Sequence, residues 1–370
     1  MIPVNEPAIG EKEIEYVVDC LKTGWISSTG KYIEEFEKKC ADYCGMQYGI
    51  AVSNGTVALE TAIKSLGLTP EDEIILPTFT IISCALAIIN NKCKPVLVDS
   101  EPRTWTIDVN KIEKKITSKT KAIMPVHIYG HPCDMDKIWD IAKKYGLVII
   151  EDAAEAHGAE YKGEKCGGLG EISCFSFYAN KIITTGEGGM VLTNNEEYAQ
   201  KARSLRNLCF REDRRFYHTE LGSNFRLTNV QAAIGLAQIE KIDKLIEKKR
   251  WMGSKYNEYL NDISGITLPV EEAWAKNVYW MYGIVLDNNK DIDATELARR
   301  LKKEGVDTRP FFLGMHEQPA FHRMGLFIDE HFPVAENISR QGLYLPSGLT
   351  ITEKQIQEVS NLVRRCLAHQ

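Results

Sequence analysis

The chain has 370 residues, 44% hydrophobic and 26% charged, which excludes a disordered or collagen-like polymer and suits two domains or one large α/β unit. With 45 basic and 51 acidic side chains the net charge is −6, so no global positive field draws the protein to nucleic acid or anionic lipid. The longest apolar stretch, residues 74–89, is interrupted by Pro77, Thr78, Thr80 and Ser83 and falls short of the roughly 20 apolar residues a spanning helix needs.

The first 17 residues hold no basic segment followed by an apolar one, which predicts a cytoplasmic protein. Ten cysteines are scattered without a CxxC pair and are expected as free thiols. In chain order the apolar runs are YGIAVS, EIILP, KPVLVD, KAIMPVHIY, LVIIED, ISCFSF and GGMVLT, with helical patterns at 56–66, 135–145 and 229–250. Short β-branched runs alternating with helices describe a mostly parallel sheet covered on both faces. After about residue 250 the pattern changes to a strand, VYWMYGIVLD, a helix, ATELARRLKKEG, and a closing helix at 353–366. The expected division is 1–250 and 251–370.

Three passages carry chemistry. Ser53-Asn54-Gly55-Thr56 follows a strand and opens a helix, so its amides suit a phosphate, although Ser and Asn are also ordinary helix caps. The strand at 147–152 ends in Glu151 and Asp152. An acid at the carboxyl end of such a strand points at a ligand site, unless it caps the next helix or pairs with a surface lysine. Lys181 stands alone among small and apolar residues before the glycine-rich turn Thr184-Thr185-Gly186-Glu187-Gly188-Gly189. Burial there lowers an amine's pKa and frees it to bond a carbonyl, yet most lysines simply face solvent. One cofactor needs a lysine for its aldehyde, an acid for its ring nitrogen and a phosphate cradle together: pyridoxal 5′-phosphate.

The sequence also resembles the DegT/StrS sugar aminotransferases of fold type I, through GWISSTGKYIEEFE, VSNGT, PTFT, VHIYGHPCDM, IIEDAAEAHGA, FSFYANK, TTGEGGM and NFRLTNVQAAIGLAQ. The resemblance implies an aspartate-aminotransferase-like α/β fold, a large domain with a mostly parallel mixed sheet plus a smaller α+β domain. It implies Lys181 as the lysine that bonds the cofactor, Asp152 as the ring-nitrogen partner and Glu155 beside the ring. Gly55, Thr56 and Ser176 are then phosphate contacts, and Asn224 is lent to the phosphate by a neighbouring subunit of a homodimer. The implied substrates are L-glutamate and a nucleotide-linked keto-sugar, with GDP-4-keto-6-deoxymannose the first expectation. Other nucleotides and C3 amination are alternatives. A sugar dehydratase is disfavoured because such relatives carry histidine in place of the lysine. A regulator without turnover is disfavoured by the intact set of Lys181, Asp152 and Ser176.

Trp25, Arg309 and His316 are expected near the substrate by the same resemblance, with packing or a surface charge as the plainer roles. Ile81 stands where relatives often have an aromatic ring, and residues 208–215 are unusually basic. His127, His131 and Cys133 match no zinc spacing, so no metal is expected. Cys40 and Cys44, four apart on a helix, suit packing.

Overall fold

Each of the seven apolar runs contributes one strand to a single sheet: β1 (Tyr48–Val52), β2 (Glu73–Pro77), β3 (Lys94–Val98), β4 (Thr120–Ile123), β5 (Val148–Asp152), β6 (Ile172–Ser176) and β7 (Gly189–Thr193). The computed structural model describes residues 1–288 and 292–368. The strand order is β1-β7-β6-β5-β4-β2-β3. All strands run parallel except β7, which is antiparallel to both neighbours. The α/β architecture is therefore the one expected from the alternation of runs and helices.

Helices α1 (Glu11–Thr23), α2 (Lys31–Tyr43), α3 (Gly55–Ser65), α4 (Ser83–Asn90), α5 (Met135–Tyr145), α6 (Glu196–Arg206), α7 (Asn229–Ile239) and α8 (Ile242–Leu260) surround the sheet. Ile50, Ile74, Ile75, Leu76, Ile123, Ile150 and Val191 are fully buried between these layers. Strands buried on both faces read as continuous apolar runs rather than alternating ones, which is why they are visible in the sequence.

Two expected elements differ. The run 121–129 leaves the ladder after Ile123 because Pro125 has no N–H to give; only an isolated bridge from Val126 to Asp152 remains. This departure turns His127 and Tyr129 inward. The helix expected at 229–250 is two helices, broken at Lys241, whose φ of −118° and ψ of 14° are not helical. α7 is buried around most of its circumference, against α1 and α2. α8 is amphipathic, and the bend lets its second half serve a different core.

That second core lies under a four-stranded antiparallel sheet of β8 (Ile266–Thr267), β9 (Tyr282–Leu286), β10 (Arg309–Pro310) and β11 (Gly342–Leu345), in the order β8-β9-β11-β10. Helices α9 (Ala294–Lys303), α10 (Pro333–Gln341) and α11 (Glu353–Ala368) accompany it. Met252 and Tyr256 of α8 join Ile284, Leu297, Leu301, Ile356 and Val363 in one apolar cluster. Residue 250 falls inside α8. Ile2 belongs to the same cluster and exchanges backbone hydrogen bonds with Gly305 and Asp307.

β9 is shorter than the run 278–287. Tyr279 has a φ of +47°, a conformation that ends an extended run for any residue but glycine. The turn carries Trp280 out of strand geometry toward the large sheet. All ten cysteines are free thiols, and among the described residues no helix is long and apolar enough to cross a membrane.

Candidate active site

The carboxyl ends of β1, β2, β5 and β6 open on one cavity of about 610 Å³, the place where ligands sit in open α/β sheets. Its lining includes Gly55, Thr56, Asp152, Glu155, Ser176 and Lys181. The sequence spreads these six over 127 positions, and the sheet gathers them.

At one side stands the N-terminus of α3. The Asn54 side chain caps it by accepting from the Val57 N–H at 3.0 Å, so the cap and the anion-binding potential coexist: the remaining first-turn amides are free to face the cavity. Gly55 is required by close approach. A Cβ there would stand 2.7 Å from the Ser176 Cβ and 3.1 Å from its Oγ. The Thr56 hydroxyl lies 2.9 Å from that of Ser83. The wall thus offers backbone N–H groups and three hydroxyls.

At the other side Asp152 ends β5, 2% exposed. Its carboxylate accepts from the Cys84 thiol at 3.1 Å and from the Ala154 N–H at 3.0 Å. Burial pushes its pKa up, while those hydrogen bonds and the Lys181 charge pull it down. The neighbouring acid, Glu151, points away from the cavity. It accepts from the Leu169 and Gly170 amides, the Ser173 hydroxyl and the His127 ring, and it fixes the turn before β6.

Lys181 lies between them, with its side chain 9% exposed and its Nζ 3.7 Å from Glu155 Oε1. Burial lowers the lysine's pKa, and burial raises that of Glu155 to about 7. The second Glu155 oxygen accepts from the Tyr129 N–H at 2.8 Å, which aims the first at the lysine. On its other face the Lys181 ammonium sits 3.6 Å from the centre of the Trp280 ring.

The remaining candidates fall elsewhere. Trp25 is 57% exposed and outside the lining. Asn224 is exposed, bridged through its backbone to Asn207. Arg309 pairs with Asp307 at 2.8 Å on an exposed strand. His316 is buried, bonded to the Thr78 hydroxyl at 2.8 Å and to Glu336 at 3.3 Å, so it fastens the second part of the chain to the end of β2, outside the lining of the cavity. His127 has both ring nitrogens occupied, by Glu151 and by the Cys133 N–H at 3.0 Å. The Cys166 thiol lies close to both His127 and Glu151 in the same buried cluster.

Residues that the motifs did not single out complete the lining: Thr80, Asn180, Glu187, Phe312 and Tyr344. Tyr344 lies on β11 and Phe312 on the segment that follows β10, and both belong to an aromatic cluster around Tyr129. No local sequence signal marks them, because only the fold brings the second sheet over the first. Asn180 leaves its buried side-chain oxygen without a partner among the described residues.

A strand-end acid, a lysine whose burial lowers its pKa, and a helix N-terminus in one α/β cavity define an aminotransferase-type site. The chain belongs to the DegT/DnrJ/EryC1/StrS aminotransferase family, which its sequence matches over residues 7–364. It is 42% identical over 359 residues to the GDP-perosamine synthase of Caulobacter vibrioides, covering 97% of this chain and 96% of that protein. It is also 42% identical over 355 residues to the GDP-perosamine synthase of Escherichia coli O157:H7, covering 96% and 95%. The crystal structure of S. venezuelae DesV superposes with a TM-score of 0.90 at 33% identity, covering 97% of this chain and 95% of that one. The family implies pyridoxal phosphate, and the residues present fit it. The Gly55 cradle, which a single Cβ would fill, suits a phosphate, and a buried carboxylate faces a buried amine across a space of adequate volume.

Proposed function

We propose that this enzyme moves an amino group from L-glutamate to a nucleotide-linked 4-keto-6-deoxyhexose, with GDP-4-keto-6-deoxymannose as acceptor and GDP-perosamine as product. The convergence of Lys181, Asp152 and the α3 N-terminus on one cavity carries the chemistry. The 42% identity to two GDP-perosamine synthases supports the choice of sugar. The product would supply cell-surface polysaccharide such as lipopolysaccharide O-antigen, made in the cytoplasm.

Pyridoxal phosphate, when bound, supplies an aldehyde and an electron-withdrawing ring. The α3 amides at Gly55 and Thr56, with the Thr56 and Ser176 hydroxyls, would hold its phosphate, and Asp152 would hold the proton on its ring nitrogen. A carboxylate is needed there because an amide cannot balance a positive ring. Lys181 is the base and acid. Burial lowers the pKa of Lys181 and raises that of Glu155, which brings their proton affinities toward each other, so Nζ can both accept and return a proton. Glu155 keeps that proton within 3.7 Å of Nζ.

Residues 1–250 form the larger, cofactor-holding unit in this reading, and residues 251–370 the smaller one that roofs the cavity through Trp280, Phe312 and Tyr344. Asn224, exposed on the single chain, serves a second copy in a homodimer with shared sites, and the exposed Trp25 closes over the sugar. The test is a panel of GDP-, dTDP- and UDP-linked keto-sugars offered with glutamate, products read by mass. Amination of GDP-4-keto-6-deoxymannose ahead of the others is expected, and preference for another nucleotide would overturn the sugar assignment.

A further inference from the structure

Lys249, on α8, is 1% exposed, and among the described residues no acid pairs with it. Its Nζ donates to two backbone carbonyls, that of Trp280 at 2.7 Å and that of Ser347. An ammonium has three N–H groups and a neutral amine two, so the two acceptors match the uncharged form. Burial alone draws this lysine down to about 7. A buried amine is costly even when satisfied, and an apolar side chain of similar volume would pack α8 against the second sheet without that cost.

What Lys249 holds gives it a role. Trp280, 3% exposed, donates its indole N–H to the Asn180 carbonyl at 2.8 Å. That carbonyl belongs to the peptide immediately before Lys181. The same indole presents its face to the Lys181 Nζ at 3.6 Å. Trp280 is thus fixed at its backbone by Lys249 and at its edge by Asn180, and its π face carries the ammonium. A cation over a desolvated indole face is attracted by the ring quadrupole. The positive φ of Tyr279 is the turn that allows the ring to reach this position.

We propose that Trp280, clamped from behind by Lys249, is the seat that holds the Lys181 amino group whenever it is not bonded to the cofactor, and that Lys249 is a positioning residue acting through it. The inference rests on the reading of Lys181 as the cofactor-bonding lysine. A ring seat keeps the amine within reach of its proton partner and favours its charged form, opposing the burial that favours the neutral one. The groups facing Nζ are Glu155 and Asp152, which also favour the charged form, together with Cys84 and His157.

The test measures the rate at which the apoenzyme captures pyridoxal phosphate, by absorbance, across pH. Capture needs the neutral amine, so its midpoint reports Lys181. Trp280→Leu removes the quadrupole, and the midpoint falls by about one pH unit. Trp280→Phe keeps a ring face but loses the indole N–H, so its midpoint stays nearer the wild-type value. Lys249→Met frees the ring and moves the midpoint in the same direction as Trp280→Leu. Circular dichroism at each pH confines the comparison to folded protein, and Trp280→Phe supplies a folded comparison should Lys249→Met unfold. Midpoints in Trp280→Leu and Trp280→Phe that both equal wild type would overturn the proposal. Capture and turnover that survive in Lys181→Ala would instead overturn the underlying reading of Lys181.

Discussion

Replacing Gly55 by Ala probes the phosphate cradle with one methyl group. The new Cβ would stand 2.7 Å from the Ser176 Cβ, where ordinary contact begins near 3.4 Å, so α3 and the end of β6 must part by about 0.7 Å. Both are anchored in the core, and such overpacking costs about 1–3 kcal/mol. Alanine's better helix propensity returns up to about 1 kcal/mol, leaving a modest net loss of stability. The larger effect falls on binding. If the shift removes one charge-assisted hydrogen bond to the phosphate, about 1.5–3 kcal/mol is lost, a roughly 10- to 150-fold weaker affinity. The assay titrates apoenzyme with pyridoxal phosphate and with pyridoxal, which lacks the phosphate. Gly55→Ala should weaken the first and spare the second. An unchanged ratio of the two affinities would show that the phosphate does not lie at the α3 N-terminus, and the reasoning from Gly55 would fail.

Asp152→Asn should slow proton abstraction by at least tenfold, with a smaller change in cofactor affinity, since the amide cannot hold a ring proton; stopped-flow absorbance with glutamate checks this, and an unchanged rate would assign the acid another role. His131 and His157 are held near 4 and near 3 by burial, the Lys181 charge adding to the effect on His157. Because the unfolded chain takes up these protons first, their contribution to stability is full above about pH 6.5 and is lost as pH falls toward 4 and 3. Thermal melts from pH 7 to pH 4 should show the decline, and a flat profile would contradict neutral burial of both rings. His316→Ala strands the Thr78 hydroxyl at a cost of about 1–3 kcal/mol. A lower melting temperature with nearly unchanged kcat/KM is expected, whereas a collapse of kcat/KM in folded protein would put His316 in the site.

Much of the large sheet was legible because doubly buried strands are written as unbroken apolar runs, and Asp152 and Lys181 stood out as polar residues at the ends of such runs. The strand end at Ile123 was hidden in a run whose composition stays apolar through Pro125. The α7–α8 break had no glycine or proline to announce it. Trp280 reads as one more aromatic position in a strand, and only the positive φ of Tyr279 turns it toward Lys181. Cys84 shows no pattern as a donor to Asp152, since a thiol in an apolar helix normally signals packing. Arg309 and His316 were expected near the substrate by resemblance alone, and an exposed ion pair with Asp307 and a buried bond to Thr78 hold their side chains.

The most direct test of the central claim supplies ¹⁵N-labelled L-glutamate and GDP-4-keto-6-deoxymannose to the wild-type protein loaded with pyridoxal phosphate, and to Lys181→Ala loaded alike. The account predicts ¹⁵N in a GDP-linked aminosugar and 2-oxoglutarate in equal amount from the wild type, and neither from the variant. Label absent from the sugar with the wild-type enzyme, or transferred at an undiminished rate by Lys181→Ala, would contradict it.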